Sequence, residues 1–386
     1  MAAPFATMQL ADLGARVIKV ENPSGGEPTR LSGPFVAGES SPFIRLNRNK
    51  ESLALDLKSA AGREAFLRLA ERADVVVENF RPGAMRRLGL GYDDLAAINP
   101  SLVYASGSGW GQTGPMAALA GLDIMAQARS GMMSITGHPD RPPAKVGLPI
   151  CDLTTALYIA LAITAALRER DRSGVGQHID VSLFESGVSY AVWEAGAYFV
   201  NGHVGGPLGS AHQNQAPYQA IRSKDGYLTI GANTPKNWLS LCSVLGLDDL
   251  PRDERFADGN DRLANRAELI ELIEKVTEQW TTAELVERLE GAGVPCAPIA
   301  DYGQVFTDET LTEREFFWDA PHPVAGEVRQ LGSPMRFSRT PTVRSNAGPM
   351  LGADNARILA ELGYSGADLD RLCPTTSGAG TIGSRS

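Results

Sequence analysis

The chain has 386 residues, enough for two or three domains, and 43% of them are hydrophobic, ample for buried cores. Its 36 basic and 45 acidic residues leave a formal charge of −9, which argues against a nucleic-acid binder, because such domains carry a basic face. The cysteines Cys151, Cys242, Cys296 and Cys373 are scattered without a C-x-x-C pair and read as free thiols of a reducing compartment. None of His138, His178, His203, His212 and His322 pairs with Cys or His at ligand spacing, so no metal site is predicted. No basic stretch precedes an apolar run at the N-terminus, and Asp12 interrupts the apolar segment there. The expectation is a cytoplasmic protein with no signal peptide and no membrane partner.

In chain order, Pro4 to Leu13 reads as a helix stopped by Gly14, and Arg16 to Glu21 as a β-branched strand. A Gly/Pro/Ser-rich loop runs from Asn22 to Pro42. Leu53, Leu55 and Leu57 alternate as in a strand that Lys58 ends, and Ser59 to Ala73 is an amphipathic helix. Asp74 to Glu78 is continuous in valine, the mark of a strand covered on both faces, and Leu102 to Ser106 is another strand. The glycine-rich stretch Gly107 to Pro115 fits neither G-x-G-x-x-G nor a P-loop, and it reads as a loop letting backbone approach a ligand or another subunit.

Asp152 takes an N-cap position ahead of Leu153 to Leu167, which is apolar nearly all round and so reads as a buried core helix. That run falls short of the roughly 20 residues a bilayer span needs. Cys151 beside it reads as a buried, inert thiol. His178 to Leu183 adds a strand and Phe184 to Val200 a helix. Strands alternating with helices imply a largely parallel α/β sheet.

Residues 205–210 read as a linker. Beyond it, Tyr218 to Ile221 and Tyr227 to Ile230 flank Asp225-Gly226, a strong hairpin signal. Helices follow at Pro235 to Leu245, Ala267 to Glu278 and Thr282 to Leu289, then a hairpin around Gly326 (His322 to Leu331) and a helix from Ala353 to Leu362. The division is a large α/β domain over 1–205, a small α+β domain over 215–325, a return to the large domain over 326–365, and a disordered tail over 375–386.

Basic residues recur in turns and at strand ends: Arg30, Arg45, Arg48, Lys50, Lys58, Arg81, Arg86 and Arg87. Open α/β sheets bind ligands beyond the carboxyl ends of their strands, where Lys58, Asn79 and Arg81 stand. Arginine suits phosphate through its forked donors, so the pattern points to a poly-anionic ligand.

Several ordered segments carry a resemblance. They include P-F-A-T-M-Q-L-A-D-L-G-A-R-V-I-K-V-E (4–21), N-R-N-K-E-S-L-A-L-D-L-K (47–58), V-E-N-F-R-P-G (77–83), S-G-M-M-S-I-T-G (130–137), C-D-L-T-T-A-L-Y (151–158) and G-Q-H-I-D-V-S-L-F-E-S (176–186). In these the chain resembles class III CoA-transferases, in register from about residue 2 to about 362, and residues 210–226 look most like the dicarboxylate-type members. The resemblance implies a large Rossmann-like domain, a small domain and two interlocked chains forming a homodimer. It implies coenzyme A as a thioester substrate, a carboxylic-acid acceptor, and Asp152 as the nucleophile that becomes an aspartyl-CoA thioester. Motif by motif, it carries CoA contacts onto Arg30, Leu55, Lys58, Asn79, Phe80, Arg81, Arg87 and Asp123, with residues 120–123 near the thioester.

Two departures stand out. The family ordinarily opens with one further strand ahead of the equivalent of Ala3-Pro4, and Met1 stands where relatives carry a polar residue near the active site. The alternative within the family is an isomerase of 2-methylacyl-CoA racemase type. That branch carries a His where this chain has Leu122, so one of its two acid/base groups is missing.

Overall fold

The computed structural model describes residues 1–372, so Cys373 and the tail expected to be disordered lie outside the described residues. The chain divides into two compact units. One comprises residues 1–131, 146–192 and 310 onward; the other comprises 132–145 and 193–309.

The first unit opens with α1 (Ala2–Asp12), and Gly14 beyond it takes a left-handed φ of +99°. Next come β1 (Val17–Glu21), α2 (Ser41–Leu46), β2 (Lys50–Ala54), α3 (Ala60–Ala70), β3 (Val75–Glu78), α4 (Ala84–Arg87), α5 (Tyr92–Ala96) and β4 (Val103–Ser108). Then follow α6 (Asp123–Arg129), α7 (Ile150–Ser173), β5 (His178–Ser182) and α8 (Leu183–Val188). The parallel pairing expected from the strand–helix alternation is present, but in two small sheets and not in one large Rossmann-like sheet. Strands β1 and β2 form one pair, and β3-β4-β5 form a three-stranded sheet.

The two-stranded sheet stops growing for a definable reason. The outward backbone N–H groups of β2 are taken by side chains from the far end of the chain. Ser52 N–H donates to Asp354 Oδ2 at 2.9 Å, and Ala54 N–H donates to Asn355 Oδ1 at 2.7 Å. An edge whose donors are already satisfied has none left in that stretch to pair with another strand.

The valine strand β3 is covered on both faces, as its composition predicts. Val75 and Val77 lie against the cluster of Ala105, Ala156, Ile159 and Ile163, while Val76 packs on the cluster of Leu53, Leu55, Phe66 and Leu102.

Helix α7 departs from the reading of its sequence in two ways. It runs for 24 residues, and by length and composition alone it could cross a membrane. It is also not buried all round. Ala156, Ile159 and Ile163 are sealed against the sheet, whereas Leu157 and Leu161 are 52% and 65% exposed. The extra length is polar: the helix continues through Arg170 and Arg172, whose charges complement its C-terminal dipole, and stops at Gly174 with φ +76°. The single helix expected from Phe184 to Val200 is two, α8 and α9 (Val192–Asn201), interrupted at residues 189–191.

In the second unit, β6 (Tyr218–Arg222) and β7 (Tyr227–Gly231) form the hairpin announced by Asp225-Gly226. Helices α10 (Pro235–Leu245), α11 (Arg266–Thr277) and α12 (Thr282–Gly291) follow, and β8 (Cys296–Pro298) joins the far side of β7. Ile221, Leu228, Trp238, Leu241, Phe256, Ile273 and Leu285 fill its core. The chain then returns to the first unit with the hairpin β9 (Phe317–His322) and β10 (Gly326–Leu331), which packs on Phe43 and Ile44 of α2. Helix α13 (Asn355–Glu361) adds Ile358 and Leu359 to the core around Leu53.

Candidate active site

The site is built around the N-terminus of α7, in the first unit. Pro149 occupies the N-cap position and offers no side-chain acceptor. The cap comes from elsewhere. Asp123, the first residue of α6, accepts through Oδ1 from Cys151 N–H at 2.9 Å and from Asp152 N–H at 3.1 Å. Asp152 is therefore not the N-cap that the sequence suggested. It lies within the first turn, and its own amide is one of the orphan donors that Asp123 satisfies.

Asp123 is itself fixed. Its Oδ2 accepts from Gln127 Nε2 at 2.6 Å, and the fully buried Gln127 accepts Val146 N–H at 2.9 Å. The glycine-rich loop seats this arrangement. A Cβ placed on Gly109 would lie 2.8 Å from the Cα of Gly121, and one on Gly121 would lie 2.8 Å from the Cα of Gly109. Trp110 Nε1 donates to Ala120 O at 3.1 Å. The close approach that these glycines permit is thus to another loop of the same chain, the one that delivers Asp123.

The carboxyl of Asp152 is half-buried, and burial holds its pKa above the usual carboxylate range, with the charge of Asp123 adding to the effect. A hydrogen bond from Ala2 N–H, in the first turn of α1, acts in the opposite direction. Desolvation outweighs it. Cys151 is fully buried, and burial first, then Asp123 and Asp152, push its thiol up to about 11, so it stays protonated and inert at neutral pH.

The CoA positions carried over by resemblance fall into distinct environments. Arg30 forks onto Glu21, with Nε to Oε2 at 2.8 Å and Nη2 to Oε1 at 2.7 Å, donates further to Pro349 O at 3.1 Å, and lies 3.7 Å above the Phe43 ring. Its guanidinium is occupied inside the protein. Leu55 is a core residue at 1% exposure, packed in the cluster with Leu53, Phe66 and Leu102. By contrast, Lys58, Arg81, Arg86 and Arg87 are exposed and, among the described residues, make no ion pair. Asn79 Nδ2 donates to Gly107 O at 2.8 Å, linking the carboxyl ends of β3 and β4, and Phe80 N–H donates to the buried Glu78 at 2.7 Å. The ring of Phe80 is exposed.

Two residues grouped with the ligand-facing bases are instead buried. Arg48 forks onto Asp12, and Lys50 Nζ donates to Pro4 O at 2.7 Å and Asn47 Oδ1 at 2.8 Å. Asn49, at φ +61°, donates to Asp12 Oδ1 at 2.8 Å. The density of hydrogen-bonding side chains in Asn47-Arg48-Asn49-Lys50 was the available signal for an internal clamp.

The sequence model of CoA-transferase family III matches residues 1–355. The chain belongs to this family. A Mus musculus protein named succinyl-CoA:glutarate CoA-transferase is 38% identical over 96% of this chain and 86% of its own length. An Acetobacter aceti protein named acetyl-CoA:oxalate CoA-transferase is 38% identical over 87% of this chain and 85% of its own. The crystal structure of a CAIB/BAIF family protein from Brucella suis superposes with a TM-score of 0.85 at 40% identity, covering 94% of this chain and 96% of that one. The mixed α/β fold with small sheets is therefore the one this CoA-transferase shares with that protein.

The remote cap gives this family III enzyme a testable electrostatic property. Asp123→Asn keeps an oxygen for the amides of Cys151 and Asp152 and forfeits only the bond from Gln127, but it removes a negative charge beside Asp152. The Asp152 carboxyl is then expected to titrate at lower pH than in wild type, followed by carbon-13 NMR of the side-chain carboxyl. Asp123→Ala removes the cap as well, at a cost of about 1 kcal/mol in stability. An Asp152 titration that stays put or moves upward in Asp123→Asn refutes the assigned coupling.

Proposed function

We propose that this CoA-transferase moves coenzyme A from an acyl-CoA donor to a dicarboxylic acid, with Asp152 as the covalent nucleophile. The observation that carries the reading is the half-buried Asp152 carboxyl in the first turn of α7, its backbone amide held by Asp123 and its carboxylate facing Ala2 N–H. A carboxylate held above its ordinary pKa is more basic once ionised, and so a better nucleophile. Its oxygen attacks the thioester carbonyl, the C–S bond breaks, and CoA leaves as thiolate, giving a mixed anhydride between Asp152 and the donor acid. The thiolate then attacks the aspartyl carbonyl, releasing the donor acid and leaving CoA as a thioester on Asp152. The acceptor carboxylate repeats both steps in reverse, so no water is consumed and the thioester energy is conserved.

The acceptor class rests on the glutarate and oxalate in the names of the relatives. Exposed Lys58, Arg81 and Arg87, with Asn79 and Phe80, supply the contacts proposed for the CoA body. The isomerase alternative lacks support at Leu122, which is 63% exposed and has no proton to exchange.

The test is to trap the intermediate. Enzyme incubated with succinyl-CoA and then treated with hydroxylamine should carry a hydroxamate at Asp152, located by peptide mass mapping, and glutarate or oxalate added first should discharge it. Acyl-CoA turnover with no adduct at Asp152 overturns the assignment.

A further inference from the structure

We propose that Lys50 is a positioning residue for Asp152, acting through the first turn of α1; the inference rests on the reading of Asp152 as the nucleophile. Lys50 is only 3% exposed, on a side chain that almost always reaches water. Burial, first, and the charge of Lys19 hold its pKa well below the ordinary lysine value. Such a group persists inside a protein only where its donors are met, and both partners of Nζ are internal: Pro4 O at 2.7 Å and Asn47 Oδ1 at 2.8 Å.

Pro4 is the significant partner. It lies in the same helical turn as Ala2, whose N–H donates to the Asp152 carboxylate. Within α1 this turn is held by the burial of Ala2, Ala3 and Ala6 and by Thr7 Oγ1, which donates to Ala3 O at 2.8 Å and to Pro4 O at 3.2 Å; Met1 gives it no side-chain cap, and Lys50 ties it to the chain outside the helix. At the other end of α1, Arg48 and Asn49 bond Asp12. The four residues Asn47 to Lys50 therefore hold α1 at both ends, and the Lys50 end is the one that addresses the nucleophile. Releasing Pro4 lets the Ala2 amide drift from the carboxylate. The charged form then loses a donor, its pKa rises further, and the attacking oxygen is less well placed.

The experiment compares wild type with Lys50→Met, which keeps the apolar stem and removes the hydrogen-bonding Nζ. Transfer from succinyl-CoA to glutarate is measured as a function of pH, together with CoA affinity by calorimetry. The expected result is a kcat lowered about 10- to 100-fold, an unchanged Kd for CoA, and an acid limb of kcat/KM moved to higher pH. Should Lys50→Met fail to fold, Asn47→Ala, which removes one of the two acceptors of Nζ, should move the acid limb the same way by less. A role confined to folding would lower Tm and leave the acid limb in place, and that result in the variant that folds overturns the inference. Hydroxylamine trapping on wild type separates the two failures. No adduct at Asp152 removes the underlying reading, whereas an adduct at Asp152 with an unmoved acid limb removes only the role of Lys50.

Discussion

Asp152→Asn is expected to stop CoA transfer and, at neutral pH, to raise the stability of the fold. The first half follows from covalent catalysis: an amide cannot form the anhydride, and removing a nucleophile outright lowers turnover by roughly 10³-fold or more. The second follows from linkage. Burial and Asp123 raise the folded-state pKa of Asp152 above its unfolded value. Between those two values the folded state binds more protons than the unfolded state, so stability falls as pH rises through this window and stays lowered above it. Asparagine carries no charge to desolvate and can still accept the Ala2 N–H. The variant should therefore melt higher than wild type at neutral pH, and the gap should close below the unfolded carboxyl pKa. Near-normal turnover in Asp152→Asn would eliminate the covalent role. A lower Tm at pH 7 would eliminate the argument from burial.

The second large effect separates two arginines that the sequence treats alike. Arg87 is exposed without an ion pair among the described residues, whereas Arg30 is locked onto Glu21, their side chains 10% and 1% exposed. A charge-assisted bond to phosphate is worth roughly 1.5–3 kcal/mol, and about 1.4 kcal/mol is tenfold in affinity. Arg87→Ala should raise the Kd for CoA about 10- to 100-fold by calorimetry, with Tm nearly unchanged. The penalty should vanish for a pantetheine thioester, which lacks the nucleotide phosphates.

Arg30→Ala should instead cost about 3–5 kcal/mol of stability, because the buried carboxylate of Glu21 loses the guanidinium that forks onto it. Burial alone would raise the pKa of Glu21, but Arg30 and Lys19 together hold it below the usual range. The stabilisation is thus present above the unfolded pKa and lost as pH falls through the folded one, so the loss in Arg30→Ala should shrink in acid. Equal penalties in Arg87→Ala for CoA and for the truncated thioester would rule out the phosphate contact.

What the sequence disclosed depended on the range of the interaction. Helix α10 was legible to the residue, because its signals are local: Thr234 caps it, Pro235 opens it and Gly246 closes it at φ +68°. The hairpin at Asp225-Gly226 was legible for the same reason. The cap of α7 was not, because Asp123 lies 28 residues from Cys151, and a favoured cap residue, Asp152, stood nearby as a decoy. Arg48 and Lys50 looked like surface bases because their partners, Asp12 and Pro4, lie 36 and 46 residues away. Leu55 is the opposite case: its alternation with Leu53 is a local signal of a strand, and its side chain lies in the core. The outer face of α7 looked buried because an apolar residue carries no sign of what, if anything, covers it.

The side chains that close the edge of β2 bear on how the protein is made. Ala54 and Asn355 are 301 residues apart, and at about 5–20 residues per second a ribosome takes roughly 15–60 seconds to travel from one to the other. Throughout that interval the nascent chain displays a strand edge whose covering has not yet been synthesised. The N-terminal third of this protein is thus expected to bind chaperones that shield unpaired strands until residues 354–355 arrive. A chain truncated before Asp354 should still bind such chaperones after release, where the full-length protein does not.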